Sequence, residues 1–480
     1  MIEISYLNNK QAQITTDVST LDMIRNKFSV TNPAYGKGRN KFASARLYAI
    51  TPTGKFDVGL AENICAYLQS EQFFFKLDQK LNDILNVGYK NFNIHQFYCL
   101  NYRDHQEKSI KEAMKKGRGV IIIPTAGGKT LIMAGVIESM QNNISVDSKR
   151  LKTLVIVPSI QLVEQTTSDF IKYGIESVTK WSGDNNPDPE ADVIVAGTQI
   201  LLSEKTDLSL LSDIDLLLID EVHGLRRGNE INKIFNLITT NNRFGFTGTM
   251  PPSLIDQWNI IGKVGPVLYE EKTLDLKDKK YVSDFKIMIL NIKHQNAPKF
   301  EINQLKPTEQ YNKELEYLLS NERRNTIISN LAKRLDSNTV IMVDRIEHGV
   351  NIKNKIDELF EKDNSDRPIY FIQGSTEMED RENIRSLMND RNDVIVIAVS
   401  KIFSTGINIP NLHNIIFATA GKAKIKIMQS IGRALRLHPT KKSAIIFDIA
   451  DNTKYSKKHL EERIKLYKNE NYTYEEKQIQ

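Results

Sequence analysis

The sequence predicts an α/β protein: two parallel-sheet lobes in tandem, preceded by a small N-terminal α+β unit. Three observations carry that prediction. First, from about residue 120 short apolar runs alternate with segments of helical period: Val120–Ile123, Thr153–Val157, Asp192–Ala196 and Asp215–Ile219, then Thr339–Val343, Pro368–Ile372, Val394–Val399 and Asn414–Ala418. Short runs rich in Ile and Val, without polar alternation, are the signature of strands buried on both faces of a parallel sheet. Second, the runs form two series separated by 274–323, which holds a charged stretch at 275–280 and a polar one at 294–310. The lobe boundary is therefore expected near 273–283. Third, residues 1–95 have a different texture, with strand-like runs flanking a Thr51-Pro-Thr-Gly54 turn signal. The expected division is 1–95, 96–275 and 276–480. A chain of 480 residues agrees with this, since single cores stop growing well below that length and about 150 residues per domain gives roughly three.

Composition narrows the class. Forty per cent apolar and 26% charged residues, with 24 Gly and 14 Pro, is globular and excludes collagenous or low-complexity chains. Two cysteines, Cys65 and Cys99, exclude a disulfide framework or a multi-cysteine zinc site and point to a reducing, cytoplasmic interior. The opening MIEISYLNNK lacks the basic start and apolar run of a signal peptide, and no apolar run reaches membrane-spanning length. The net charge of +6 permits an anionic partner without requiring one. Within 29–55, however, Lys37, Arg39, Lys41, Arg46 and Lys55 stand without an acidic residue. That segment is either a nucleic-acid contact or a solvated basic face.

The chemistry lies at the ends of the apolar runs. Pro124-Thr125-Ala126-Gly127-Gly128-Lys129-Thr130 follows one run and precedes the helical pattern 131–140, the strand, loop, helix context of a phosphate-binding loop. Small residues let backbone N–H groups approach phosphate oxygens. Lys129 suits the β/γ-phosphates and the Thr130 hydroxyl suits Mg²⁺. The general pattern places Gly where this chain has Ile123. Asp220-Glu221-Val222-His223 follows the run ending at Ile219, so two carboxylates emerge at a strand end, where α/β sheets place their chemistry. Asp220 suits Mg²⁺ and Glu221 suits polarising a water for attack on phosphorus. His223 reads as a relay rather than a zinc ligand, having no Cys or His neighbour. Gln429, Arg433 and Arg436 are spaced by four and three and share a helix face, either solvated or aimed at a γ-phosphate from the second lobe.

In order, Arg103–Gln106, Pro124–Thr130, Pro158–Gln165, Thr198–Gln199, Asp220–His223, Thr247–Thr249, Phe371–Gly374, Phe403–Pro410 and Gln429–Arg436 resemble the motif series of a superfamily 2 helicase over about 100–450. Within it they most resemble the UvsW type of phage recombination helicase. The resemblance implies two RecA-like lobes and ATP with Mg²⁺ as cofactors. Gln106, with Arg103, would read the adenine. Thr247 and Thr249 would couple nucleotide to the second lobe, and Gly406 and Asn408 would touch ribose or couple the lobes. Many relatives carry Asp at the position of Asn408. Pro158, Gln161, Thr198, Gln199, Gly374, Ser375 and Thr405 would grip one strand's phosphates, with Lys37, Arg39 and Lys41 adding contacts from the N-terminal unit. The expected activity is ATP-driven unwinding or branch migration of forked DNA, without membrane or zinc, in the cytoplasm. An RNA helicase is disfavoured by Asp-Glu-Val-His in place of Asp-Glu-Ala-Asp; a restriction-type translocase subunit, which would need a nuclease constellation in this chain or in a partner, stays open as an alternative. A non-hydrolysing clamp would tolerate loss of Glu221, which is present.

Overall fold

The computed structural model describes residues 1–35, 44–98, 100–143, 149–183, 185–295, 297, 306–400, 409–419, 431–432 and 435–479. They fall into two compact units, one comprising Met1–Ile123 and Gly128–Glu271, the other Pro124–Gly127 and Lys272–Gln480.

In the first unit, β1 (Ile2–Tyr6), β2 (Gln11–Thr15), β5 (Lys55–Asp57) and β6 (Phe75–Leu77) form a four-stranded mixed sheet in the order β5-β2-β1-β6, and β3 (Ser29–Thr31) pairs with β4 (Arg46–Tyr48). Ile2, Ile4, Ala12 and Ile14 alternate onto one face and pack with Ile24, Ile64, Leu68 and Leu81 from three helices. The same core takes in Trp258 and Ile261 of the helix Leu254–Val264, so this sheet is not a free appendage. Phe28 stacks obliquely on Trp258 at 5.5 Å. The Asp57 carboxylate meets Lys263 at 3.2 Å. At Gly59 a Cβ would lie 2.0 Å from the Ile261 carbonyl oxygen, so backbone meets backbone there.

The larger sheet of this unit has seven strands: β7 (Arg118–Ile122), β8 (Thr153–Val157), β9 (Val178–Trp181), β10 (Val193–Gly197), β11 (Leu216–Ile219), β12 (Arg243–Thr247) and β13 (Val267–Glu270). Their order is β13-β7-β12-β11-β8-β10-β9 and every pairing is parallel. All residues of β7, β8, β10, β11 and β12 are buried, which is why their sequences carry no polar alternation. The arginines in β7 and β12 fit because each guanidinium donates to helix-end or loop carbonyls: Arg118 to Val264 O, Arg243 to Ile238 O, Thr240 O and Lys263 O. Trp181 is 2% exposed, a core residue.

The second unit repeats the plan with β14 (Asp284–Ile292), β15 (Thr339–Val343), β16 (Ile369–Ile372), β17 (Ile395–Val399), β18 (Asn414–Phe417), β19 (Ser443–Asp451) and β20 (Tyr474–Ile479), ordered β16-β17-β15-β18-β19-β14-β20 and parallel throughout. The stretch 274–323 between the two series of runs contains the nine-residue strand β14 and the helix Pro307–Ser320. The tail forms the helix Lys454–Asn469 and then β20, which pairs with β14.

At the carboxyl end of this sheet lies a buried polar cluster. The Arg324 guanidinium donates to both Asp451 carboxylate oxygens at 3.0 and 3.1 Å and to Ala418 O at 3.0 Å. His294 meets the same carboxylate at 2.8 Å. His348, fully buried, lies 3.1 Å from Asn325 Oδ1. Burial first, then the Arg324 charge, push His348 down to about 3 from 6.5. Between those values the unfolded chain binds a proton that the folded chain refuses. The stability contribution is therefore complete above pH 6.5 and is lost as pH falls, by at most about 1.4 kcal/mol per unit. Replacing His348 by Gln is expected to flatten this part of the profile in chemical unfolding; an unchanged slope would contradict the assignment.

Candidate ATP and nucleic-acid site

Because the first lobe's sheet is parallel, all its strands end on one edge, and that edge carries the motifs. The phosphate loop leaves β7, residues 158–161 leave β8, Thr198 and Gln199 leave β10, Asp220 leaves β11 and Gly248 leaves β12. β8 and β10 are neighbours with Val157 opposite Gly197, which brings Pro158 and Gln161 beside Thr198 and Gln199. The Thr198 hydroxyl donates to Val157 O at 3.1 Å, tying the two segments together. Ser159, which the sequence reading passed over, caps the helix Ile160–Tyr173 by accepting from Leu162 N. A serine directly before a helical pattern is the signal for such a cap.

The loop itself is shaped by backbone conformation. Ala126 and Gly128 both have positive φ, +71° and +82°, and Gly127 N donates to Pro124 O at 3.0 Å. Helix Lys129–Asn142 starts at once, with Gly128 as its N-cap, so its free N–H groups and positive end face the loop. No larger residue fits at 128, since a Cβ would lie 2.3 Å from Gln106 Nε2. Gln106 is itself buried, and its Oε1 accepts from Arg103 N at 2.9 Å, satisfying the backbone N–H that precedes the helix Asp104–Lys116. The expected adenine reader thus lies against the phosphate loop.

Facing Lys129 is the end of β11. Glu221 has φ +51°, an unfavourable conformation for a residue with a Cβ, and Asp220 Oδ1 holds the turn by accepting from Glu221 N at 2.9 Å. Lys129 Nζ stands 3.7 Å from Glu221 Oε1. Burial first, then the adjoining Glu221 charge, push Asp220 up to about 6, while Lys129 and His223 favour its ionised form. Two carboxylates and one ammonium in a partly buried site are a donor set that suits a divalent cation and phosphate. With Thr130 at the start of the helix, the residues present fit Mg²⁺ with a nucleoside triphosphate.

His223 joins this centre to β12. Its Nδ1 lies 3.2 Å from Glu221 Oε2 and 3.0 Å from Thr247 Oγ1. The Thr247 hydroxyl donates to Thr249 O at 3.0 Å, so its oxygen is left to accept. Nδ1 therefore carries the proton and donates. The imidazole is hydrogen-bonded to the Thr247–Thr249 turn and stands against the Glu221 carboxylate. Among the described residues no group of His, Cys, Asp and Glu could form a separate metal cluster.

In the second unit, Gly374 and Ser375 are exposed just beyond β16. Arg381 fixes the loop by donating to Gln373 O and Gly374 O at 3.2 and 3.0 Å. Arg436 is anchored through its backbone, Ser283 Oγ donating to Arg436 O at 3.0 Å. Lys37, Arg39, Lys41, Thr405, Gly406, Asn408, Gln429 and Arg433 lie outside the described residues.

Residues 99–252 match the family described as type III restriction enzyme, res subunit, and residues 313–438 match the helicase conserved C-terminal domain. The chain belongs to the superfamily 2 helicases. This helicase is 25% identical over 520 aligned residues to the ATP-dependent DNA helicase uvsW of Enterobacteria phage T4, covering 98% of each chain. It is 24% identical to the DNA 3'-5' translocase XPB2 of Sulfurisphaera tokodaii, covering 73% of this chain and 81% of that one. Its fold is similar to that of the type ISP restriction-modification enzyme LlaBIII bound to DNA, at a TM-score of 0.58 and 15% identity, over 85% of this chain and 32% of that one. The helicase is an ATP-using enzyme of nucleic acids. No helix among the described residues is long and apolar enough to cross a membrane.

Proposed function

We propose that this helicase is an ATP-driven DNA motor that unwinds or branch-migrates forked and branched DNA in recombination, repair or replication restart. One observation carries the reading: Lys129, Asp220, Glu221, His223 and Thr247 are linked at the carboxyl edge of one parallel sheet. In this reading Lys129 and the loop 125–130 hold the triphosphate and Gln106, with Arg103, selects adenine. Thr130 and Asp220 would hold Mg²⁺, which supplies neutralising charge to the phosphate oxygens. Glu221 orients the attacking water and accepts its proton at a carboxylate oxygen. Arg433 and Arg436, with Gln429, supply positive charge to the transferring phosphate. Gly406 and Asn408, with the His223–Thr247 bond, relay the nucleotide state.

Strand contacts are assigned to Pro158, Gln161, Thr198 and Gln199 in the lobe 96–275 and to Gly374, Ser375 and Thr405 in the lobe 276–480. Such phosphate contacts carry no sequence information. The unit 1–95, through Lys37, Arg39 and Lys41, would bind duplex near the fork. Cytoplasmic action, in a host cell if the protein is phage-encoded, fits this role. The test is strand displacement on a labelled fork with ATP and Mg²⁺. Displacement that requires hydrolysable ATP is expected; none on any fork or four-way junction would overturn the reading.

A further inference from the structure

The motifs Phe403–Pro410 and Gln429–Arg436, the fifth and sixth in the helicase naming, end at Pro410 and Arg436, and both ends are held by residues to which no role has been assigned. Ser283, just before β14, donates through its backbone N–H to Leu435 O at 2.7 Å and through its hydroxyl to Arg436 O at 3.0 Å. Five residues past Arg436, Lys441 turns back through a short bridge with His438 and its Nζ donates to Pro410 O at 2.8 Å. The neighbouring Thr440 hydroxyl donates to Asn411 Oδ1 at 2.9 Å. The Asn411 backbone carbonyl in turn accepts from Asn338 Nδ2 at 2.9 Å.

Lys441 is only 6% exposed. Burial, and then the Arg436 charge, push it down to about 8. An ammonium buried beside a guanidinium is costly, and packing alone would be served better by an apolar side chain of similar volume. The cation is kept where its hydrogen bond reaches the last residue of the neighbouring motif.

We propose that Lys441 is a positioning residue, a clasp that holds the fifth and sixth motifs in fixed register so that their nucleotide-responsive residues act as one body. This rests on the ATP-driven reading above for its functional consequence, but not for its geometry. The clasp sets where Leu435 and Arg436 stand relative to Pro410.

The test uses the full-length protein carrying Lys441→Met or Lys441→Arg, with two readouts. In Lys441→Met, kcat for DNA-stimulated ATP hydrolysis is expected to fall about tenfold, the loss typical of one charge-assisted hydrogen bond, with a smaller change in KM. Backbone amides of 409–419 and 435–445 should exchange faster together. Lys441→Arg should recover most of both. Should Lys441→Met fail to fold, Lys441→Gln takes its place with the same expectations. A folded neutral variant with kcat within about twofold of wild type, or with faster exchange in only one segment, overturns the clasp. If the wild type itself shows no DNA-stimulated hydrolysis, the motor reading fails, and the paired exchange response alone decides the clasp.

Discussion

Replacing Lys129 by Ala, or Glu221 by Gln, is expected to lower DNA-stimulated ATP hydrolysis on the order of 10²–10⁴-fold while leaving DNA binding at fixed salt unchanged. The two side chains stand 3.7 Å apart at the head of the helix Lys129–Asn142 and the end of β11, and each has a distinct task. In the proposed reading Lys129 neutralises charge on the transferring phosphate, so its loss should weaken both nucleotide affinity and turnover. Glu221→Gln keeps the size and the link to His223 but loses the basic oxygen, so it should bind ATP and fail to turn it over. Steady-state hydrolysis with nucleotide-binding titrations separates the two. Wild-type turnover in either purified variant contradicts the assignment.

Truncation at residue 95 is expected to destabilise the first lobe severely rather than release a working motor. The N-terminal sheet and the helix Leu254–Val264 share one core through Trp258 and Ile261, and Gly59 sits with its backbone against the Ile261 carbonyl. Exposing a fully buried large apolar side chain costs about 1.5–3 kcal/mol; Ile261 is buried and Trp258 half-buried, and both lose cover at once. Thermal unfolding of residues 96–480 should show an early transition absent from the whole chain. A truncated protein that melts with the whole chain would contradict the shared core. The contribution of 1–95 to DNA binding is therefore better read from Lys37, Arg39 and Lys41 replaced by Gln in the intact protein.

Much of this was legible in the sequence, for identifiable reasons. Strands buried on both faces announce themselves as apolar runs, and β7, β8, β10, β11, β15, β16, β17 and β18 lie within two residues of their predicted places. Three strands that were not read, β12, β14 and β20, have sequences that break that rule, whereas β19 follows it and is buried over most of its length. β12 contains Arg243 and Gly245; the arginine is satisfied by carbonyls, and the glycine makes room for Val222, whose side chain a Cβ would meet at 2.8 Å. β14 alternates exposed and buried residues at its start, so a charged neighbourhood hid it. β20 is largely exposed and exists through its pairing with β14.

The placement of Asp220, Glu221 and the loop 124–130 at strand ends was readable because spacing and strand context are local. The His223–Thr247 bond, the Gln106 side chain against Gly128 and the Lys441–Pro410 contact join residues distant in sequence or hidden in ordinary turns. In sequence, His438-Pro-Thr-Lys441 looks like a solvated turn; only burial distinguishes its lysine.

The central claim is that the linked centre at Lys129, Glu221 and His223 drives work on DNA. Its most direct test is the rate of ATP hydrolysis by the whole protein with single-stranded DNA, duplex, forked DNA, four-way DNA or RNA at one stated salt concentration, since backbone affinity depends on salt. The account predicts stimulation by DNA, greatest with forked or four-way substrates and abolished in Glu221→Gln. Equal rates with and without every nucleic acid, or stimulation by RNA alone, would contradict it.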